Sequence, residues 1–165
     1  YGCIKDAALF AKIAGYADDA ALLADIDSVV ATCCAIKARI VEQDEFDTGL
    51  RMLLNFGHTL GHAVEQHFGY SCFTHGEGVA IGMYQLTKRT EELGMTAKGS
   101  AERIKSVLEK YNLPLTAGVE KAQLLDTMAR DKKKNGNSIT LIILQQIGEG
   151  VLQKVDWQEV PKYLG

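Results

Sequence analysis

Apolar residues recur at helical spacing along most of this chain. Asp6 to Ala14 and Asp18 to Ala24 pattern as two short helices split by Gly15. Val29, Cys33, Ile36 and Ile40 share one face of a longer helix, which Ser28 can cap and which runs to about Glu42. Asp44 to Gly49 is a polar break, and the pattern then predicts one continuous helix from Leu50 to about His67. Beyond a loop from Gly69 to Thr74, Val79 to Leu93 reads as helix, closed by Gly94 in the usual C-terminal position. Ser100 can cap the next helix, whose Ile104, Val107, Leu108 and Tyr111 fall at i, i+3, i+4 and i+7 before Pro114 stops the pattern. Glu120 to Arg130 is another amphipathic stretch. Then the period changes. Ser138 to Leu144 is β-branched and apolar, Gly148-Glu149-Gly150 signals a turn, and Val151 to Val155 can return as the partner strand. Asp156 to Glu159 has a capping-box pattern that opens a short terminal helix. The expected fold is mainly α, a multihelical domain with one small β-hairpin near the carboxy terminus.

Composition narrows the class. At 165 residues and 47% hydrophobic, the chain is one domain able to bury a core. Eighteen basic against 21 acidic residues leave a net charge of −3, and no segment is basic enough to track a phosphate backbone, so nucleic acid is not an expected partner. No apolar run approaches the roughly 20 residues that span a bilayer, and the amino terminus lacks a signal pattern, so neither a membrane nor export is expected. Cys3, Cys33, Cys34 and Cys72 form no CxxC pair and read as free thiols of a cytoplasmic protein. Tyr1-Gly2-Cys3-Ile4 begins without an initiator Met, which leads to the expectation that the chain is a piece of something longer.

Chemistry concentrates in Arg51 to His67 and in Thr74-His75-Gly76-Glu77. All four histidines lie between positions 58 and 75. On a continuous helix, Arg51, Asn55, His58 and His62 would project from one face. Imidazoles from helix and loop plus a carboxylate make the open set that a catalytic zinc uses. Position 59 is Thr, so the HExxH pattern of zinc proteases is absent. His67 lies off the stripe and reads as a surface residue. Gly57 and Gly61 suggest tight helix packing or close ligand approach. A second candidate is the basic run from Arg130 to Asn137, which as composition alone is a solvated turn. A third is Lys37, whose place near a helix end also suits the helix dipole.

Together these pieces resemble the 3-dehydroquinate synthase family. The matching string takes in Lys37, Asp44 to Arg51, the Asn55-Phe56-Gly57-His58-Thr59-Leu60-Gly61-His62-Ala63-Val64-Glu65 run, His75-Gly76-Glu77, Asp131-Lys132-Lys133 and Ile147-Gly148. The resemblance implies that residues 1–165 are the helical zinc- and substrate-binding domain of a two-domain enzyme. Its NAD-binding amino-terminal domain would be absent from this chain, and a Glu zinc ligand and an active-site Lys would fall just before Tyr1. It implies zinc (cobalt being possible) on His58 and His75. His62, Asn55 and the lysines Lys132 and Lys133 would hold a substrate phosphate, and Arg51 with Lys37 the substrate carboxylate. Position 47 is Asp where the family pattern usually has Glu. The implied enzyme is a carbon–oxygen lyase acting on phosphate. It converts 3-deoxy-arabino-heptulosonate 7-phosphate, a small sugar-acid phosphate, to 3-dehydroquinate in the shikimate pathway, as a homodimer using NAD. The alternatives are a sibling sugar-phosphate cyclase such as 2-deoxy-scyllo-inosose synthase, or a metal-dependent polyol dehydrogenase.

Overall fold

A computed structural model describes residues 1–46, 49–135 and 137–164, without the side chains of residues 130–135. Helices α1 (Ala7–Gly15), α2 (Asp19–Ala24) and α3 (Ile26–Gln43) come first, followed by a 3-10 segment over Leu50–Asn55. Helices α4 (His58–His67), α5 (His75–Glu92), α6 (Ser100–Lys110) and α7 (Lys121–Asn135) follow. Strands β1 (Ser138–Gln146) and β2 (Glu149–Asp156) precede a last 3-10 turn over Val160–Tyr163. The fold is mainly α with one antiparallel hairpin, as the hydrophobic pattern predicts.

Local chemistry sets most helix starts. Asp6 Oδ1 accepts from the Leu9 amide at 2.9 Å, and Asp18 Oδ1 from the Ala21 amide at 2.8 Å. Each satisfies a donor that the first helical turn leaves open. Two expected caps are corrected. Helix α3 begins two residues before Ser28, whose hydroxyl instead accepts from Lys12 Nζ at 2.7 Å. Helix α6 has Gly99 at its cap, and the Glu91 carboxylate accepts from the Gly99 and Ala101 amides at 2.9 and 2.8 Å. Ser100 is buried there, its place fixed from the neighbouring helix end.

The larger correction lies between Leu50 and His67, where the structure breaks the expected continuous helix. The 3-10 segment ends at Asn55, and Gly57 turns the chain with a left-handed φ of 80° before α4 begins. Side-chain periodicity is silent about such a break, because Leu53, Phe56 and Leu60 are buried on either side of it. Conversely, α5 starts four residues before Val79. Thr74 and Glu77 form a reciprocal capping box, with the Thr74 amide donating to Glu77 Oε2 at 2.8 Å. His75 therefore sits in a first helical turn and not in a loop. Helix α7 also runs past Arg130, so residues 131–135 continue a helix where composition suggested a turn.

The hairpin carries the deepest apolar strip. Ser138 pairs with Asp156 and Leu144 with Gly150, and Leu141 to Leu144 are buried in succession. The amino-terminal segment joins it, as the Gly148 and Gly150 amides donate to the Cys3 and Ile4 carbonyls at 2.7 and 2.9 Å. Thr96 Oγ1 donates to the Leu144 carbonyl at 2.7 Å and lies 2.7 Å from Thr90 Oγ1, tying α5 to β1 through buried hydroxyls. Among the described residues no helix is long and apolar enough to cross a membrane, and the four cysteines are free.

Candidate metal and substrate site

Helices α4 and α5 approach so closely that glycine is required between them. A Cβ on Gly82 would lie 2.0 Å from the Gly57 carbonyl oxygen, and one on Gly61 would lie 2.9 Å from Gly78 backbone atoms. Gly57 would meet Met83 Cγ at 2.5 Å as well as being left-handed. Of the two roles open to Gly57 and Gly61 from sequence, tight helix packing is the one the backbone uses.

That contact sets His75, at the start of α5, against the two histidines of α4. Ring centroids are 5.1 Å apart for His58 and His75, and 5.5 Å for both His58–His62 and His62–His75. His58 Nδ1 lies 3.2 Å from the Phe56 carbonyl, an oxygen that only accepts, so Nδ1 carries the proton and Nε2 keeps its lone pair. Burial pushes the His58 pKa below its ordinary value, and the neighbouring His75 and His62 push the same way against the Phe56 carbonyl. His58 thus stays neutral, the form a metal requires, to lower pH than a free imidazole. His75 Nδ1 lies 3.2 and 3.3 Å from the two carboxylate oxygens of Glu65. Glu65 is 7% exposed. A second grouping is also compact, since ligand atoms of His62, Glu65 and His75 all lie within 4.8 Å of one another. In that grouping the Glu65 carboxylate is already committed to His75 Nδ1.

The substrate candidates fall around two cavities. One, of about 470 Å³, is lined by Lys37, Arg51, Asn55 and His58, with Tyr1 at its edge. Asp44 shapes this wall, its Oδ2 accepting from the Gly49 and Arg51 amides at 2.8 and 2.9 Å. Arg51 Nη1 donates to the Glu45 carbonyl at 3.2 Å, which turns the guanidinium along the loop. His62 opens on the other cavity, of about 440 Å³, with Thr59, Gln66, Thr140 and Trp157. The helical stripe expected to align Arg51, Asn55, His58 and His62 is therefore corrected. The break at Gly57 separates Arg51 and Asn55 from α4, yet the 3-10 segment still delivers them beside His58. The Lys132 and Lys133 side chains, and residue Asp47, lie outside the described residues. The resemblance assigns Glu65 no role. Its spacing of three from His62 and seven from His58 is the signal that places it on the same stripe.

The 3-dehydroquinate synthase C-terminal family model matches residues 1–134. This chain belongs to that family. The 3-dehydroquinate synthase of Clostridium acetobutylicum is 46% identical over 165 residues, covering 99% of this chain and 46% of that protein. The Clostridium beijerinckii enzyme of the same name is 45% identical over 157 residues, covering 94% of this chain and 45% of its own length. The chain thus spans about half the length of the curated relatives it matches. Among solved structures, the 2-epi-5-epi-valiolone synthase ValA of Streptomyces hygroscopicus, with NAD+ and Zn2+ bound, superposes with a TM-score of 0.76 at 20% identity over 98% of this chain and 46% of that one. A 2-deoxy-scyllo-inosose synthase complexed with carbaglucose-6-phosphate, NAD+ and Co2+ gives 0.68 at 19% identity, over 84% of this chain and 40% of that one. At those identities the likeness is one of fold.

Proposed function

We propose that this domain is the zinc- and substrate-binding half of a 3-dehydroquinate synthase. The enzyme would convert 3-deoxy-arabino-heptulosonate 7-phosphate to 3-dehydroquinate and phosphate in the shikimate pathway. The carrying observation is the pairing of His58 and His75, each with Nδ1 held and Nε2 left for a metal, beside a cavity that bears Lys37, Arg51 and Asn55. These imidazoles fit zinc or cobalt, and a third protein ligand would come from outside residues 1–165. Bound there, the metal supplies Lewis-acid polarisation of substrate oxygens. NAD, which supplies the redox chemistry, is bound in this reading by another domain of a cytoplasmic homodimer.

The chain's own residues would position one flexible substrate by its two anionic ends. Arg51 offers a planar fork suited to a carboxylate, and Lys37 a second cation on the same cavity. Asn55, His62 and the α7 lysines Lys132 and Lys133 would hold the phosphate end. With both ends fixed, elimination and ring closure proceed within a bound geometry, where positioning and electrostatics dominate. A sibling cyclase acting on a substrate without the carboxylate would leave Arg51 and Lys37 with no anion to bind.

The test is phosphate release from the heptulosonate phosphate by the full-length protein with zinc and catalytic NAD. Dehydroquinate as product supports the reading. A folded, metal-loaded protein that releases no phosphate would overturn it in favour of a sibling cyclisation. Arg51→Lys replaces a bidentate contact with a point charge. Because a charged hydrogen bond is worth about 1.5–3 kcal/mol, the variant is expected to weaken substrate binding roughly tenfold or more while NAD binding holds. Equal losses for both ligands would count against the carboxylate role.

A further inference from the structure

We propose that Glu65 is the positioning residue of the metal centre, fixing His75 in the tautomer that presents Nε2 to the ion. The inference rests on the reading of His75 as a ligand. It stands on three features of the α4–α5 contact. The Glu65 side chain is 8% exposed, whereas that of His75 is 57% exposed. Both oxygens lie within 3.3 Å of His75 Nδ1, so the ring is held by a fork and not by a grazing contact. Gly78 makes room for it, since a Cβ there would lie 3.2 Å from Glu65 Cγ.

Stability alone does not explain such a placement. Burying a carboxylate is costly, and an ion pair with so exposed a partner repays little of that cost. An apolar side chain at position 65 would serve the helix contact better. What the carboxylate does supply is an acceptor that selects the Nδ1–H tautomer and orients the ring. His58 obtains the same tautomer from the Phe56 carbonyl. The two imidazoles are thus prepared by different acceptors, one from the backbone and one from a buried side chain. Seven residues separate His58 from Glu65 along α4, two helical turns, so one stripe carries a ligand candidate and the residue that orients its partner.

The experiment titrates zinc into metal-free full-length protein, in the wild type and in Glu65→Met, Glu65→Gln, His75→Ala and His62→Ala variants. The histidine tautomers of the metal-free protein are read by 15N NMR. Glu65→Met keeps the volume without an acceptor and is expected to weaken zinc by roughly 10–100-fold. Glu65→Gln keeps an acceptor and is expected to lose less. His75 is expected as the Nδ1–H tautomer in the wild type and in Glu65→Gln, and as a tautomer mixture in Glu65→Met. A merely structural role would not move the tautomer. Zinc lost in His75→Ala but bound at wild-type strength in Glu65→Met would overturn the proposal alone. Zinc unaffected by His75→Ala would overturn the ligand reading and the proposal with it. Loss of zinc in His62→Ala and in Glu65→Gln to the same degree as in His75→Ala would make Glu65 itself a ligand, which also overturns the positioning role.

Discussion

Cys3 and Cys72 differ sharply in exposure. Cys3 is buried beside the hairpin, and burial pushes its pKa up from 9.0 to about 11. Cys34 and Cys72 are exposed. Alkylation of the folded chain at neutral pH is therefore expected to label Cys34 and Cys72 while Cys3 reacts only after unfolding, because the thiolate is the nucleophile. Mass mapping that finds Cys3 labelled as fast as Cys72 would contradict this. The linkage has a definite sign. The folded state holds the Cys3 proton more tightly than the unfolded chain, so the associated stability is intact below pH 9.0 and is lost as pH rises through about 11. A Cys3→Ala variant should show a shallower alkaline decline in urea denaturation than the wild type. An unchanged slope would sink the assignment. At the same scale, the histidine pair of α4 was legible from its spacing alone. Glu65 does not stand out in the sequence, because a Glu three residues beyond a His is ordinary on any helix until His75 is known to face it.

Helices α4 and α5 depend on glycine in a way that substitution can expose. Overpacking a core position typically costs about 1–3 kcal/mol, and Gly82→Ala drives its Cβ into the Gly57 carbonyl at 2.0 Å. Gly82→Ala is therefore expected at or beyond the upper end of that range. Gly15→Ala is the contrast, since nothing lies within 4 Å of the added carbon and Gly15 ends α1 on the surface. There, higher helix propensity predicts a gain of up to about 1 kcal/mol. Thermal melts of both variants check the pair, and a Gly82→Ala midpoint equal to wild type would refute the close-contact account. Thr74→Ala removes half of the capping box that starts α5 and is expected to cost about 1 kcal/mol. The Thr-His-Gly-Glu string thus has a structural meaning besides its histidine: the outer residues start the helix that His75 rides on.

Among the described residues the interior holds three apolar clusters, two of which share packing residues. Leu50 and Leu54 pack against both the cluster around Phe10 and Ile104 and the one formed by Leu9, Val29, Ile36 and Ile40. The same 3-10 segment carries Arg51 and Asn55, so the cavity they line is continuous with the packing between two cores. Unfolding is accordingly expected as one cooperative transition, with far-UV circular dichroism and Trp157 fluorescence coinciding. Two separated transitions would mean that the α1–α3 layer unfolds by itself. Under the functional proposal, His62, His75, Lys37 and Asn55 are exposed because this face works against a second domain. Residues 1–165 with zinc and NAD are then expected to release no phosphate from the heptulosonate phosphate. Measurable release would show that these residues hold a complete active site.

Periodicity and residue type determined the mainly helical class, the hairpin and the clustering of imidazoles with a guanidinium and an amide in one stretch of chain. These are properties of a single segment read against its own spacing. Tertiary structure alone decided that Gly57 breaks the predicted helix, that His75 meets the two histidines of α4, and that Glu65 reaches its ring. Each depends on how closely α4 and α5 pack. That distance is set by glycines about 20 residues apart in the chain, Gly57 and Gly61 against Gly78 and Gly82. A pattern of hydrophobic positions records which faces are buried, but not how near two buried backbones come.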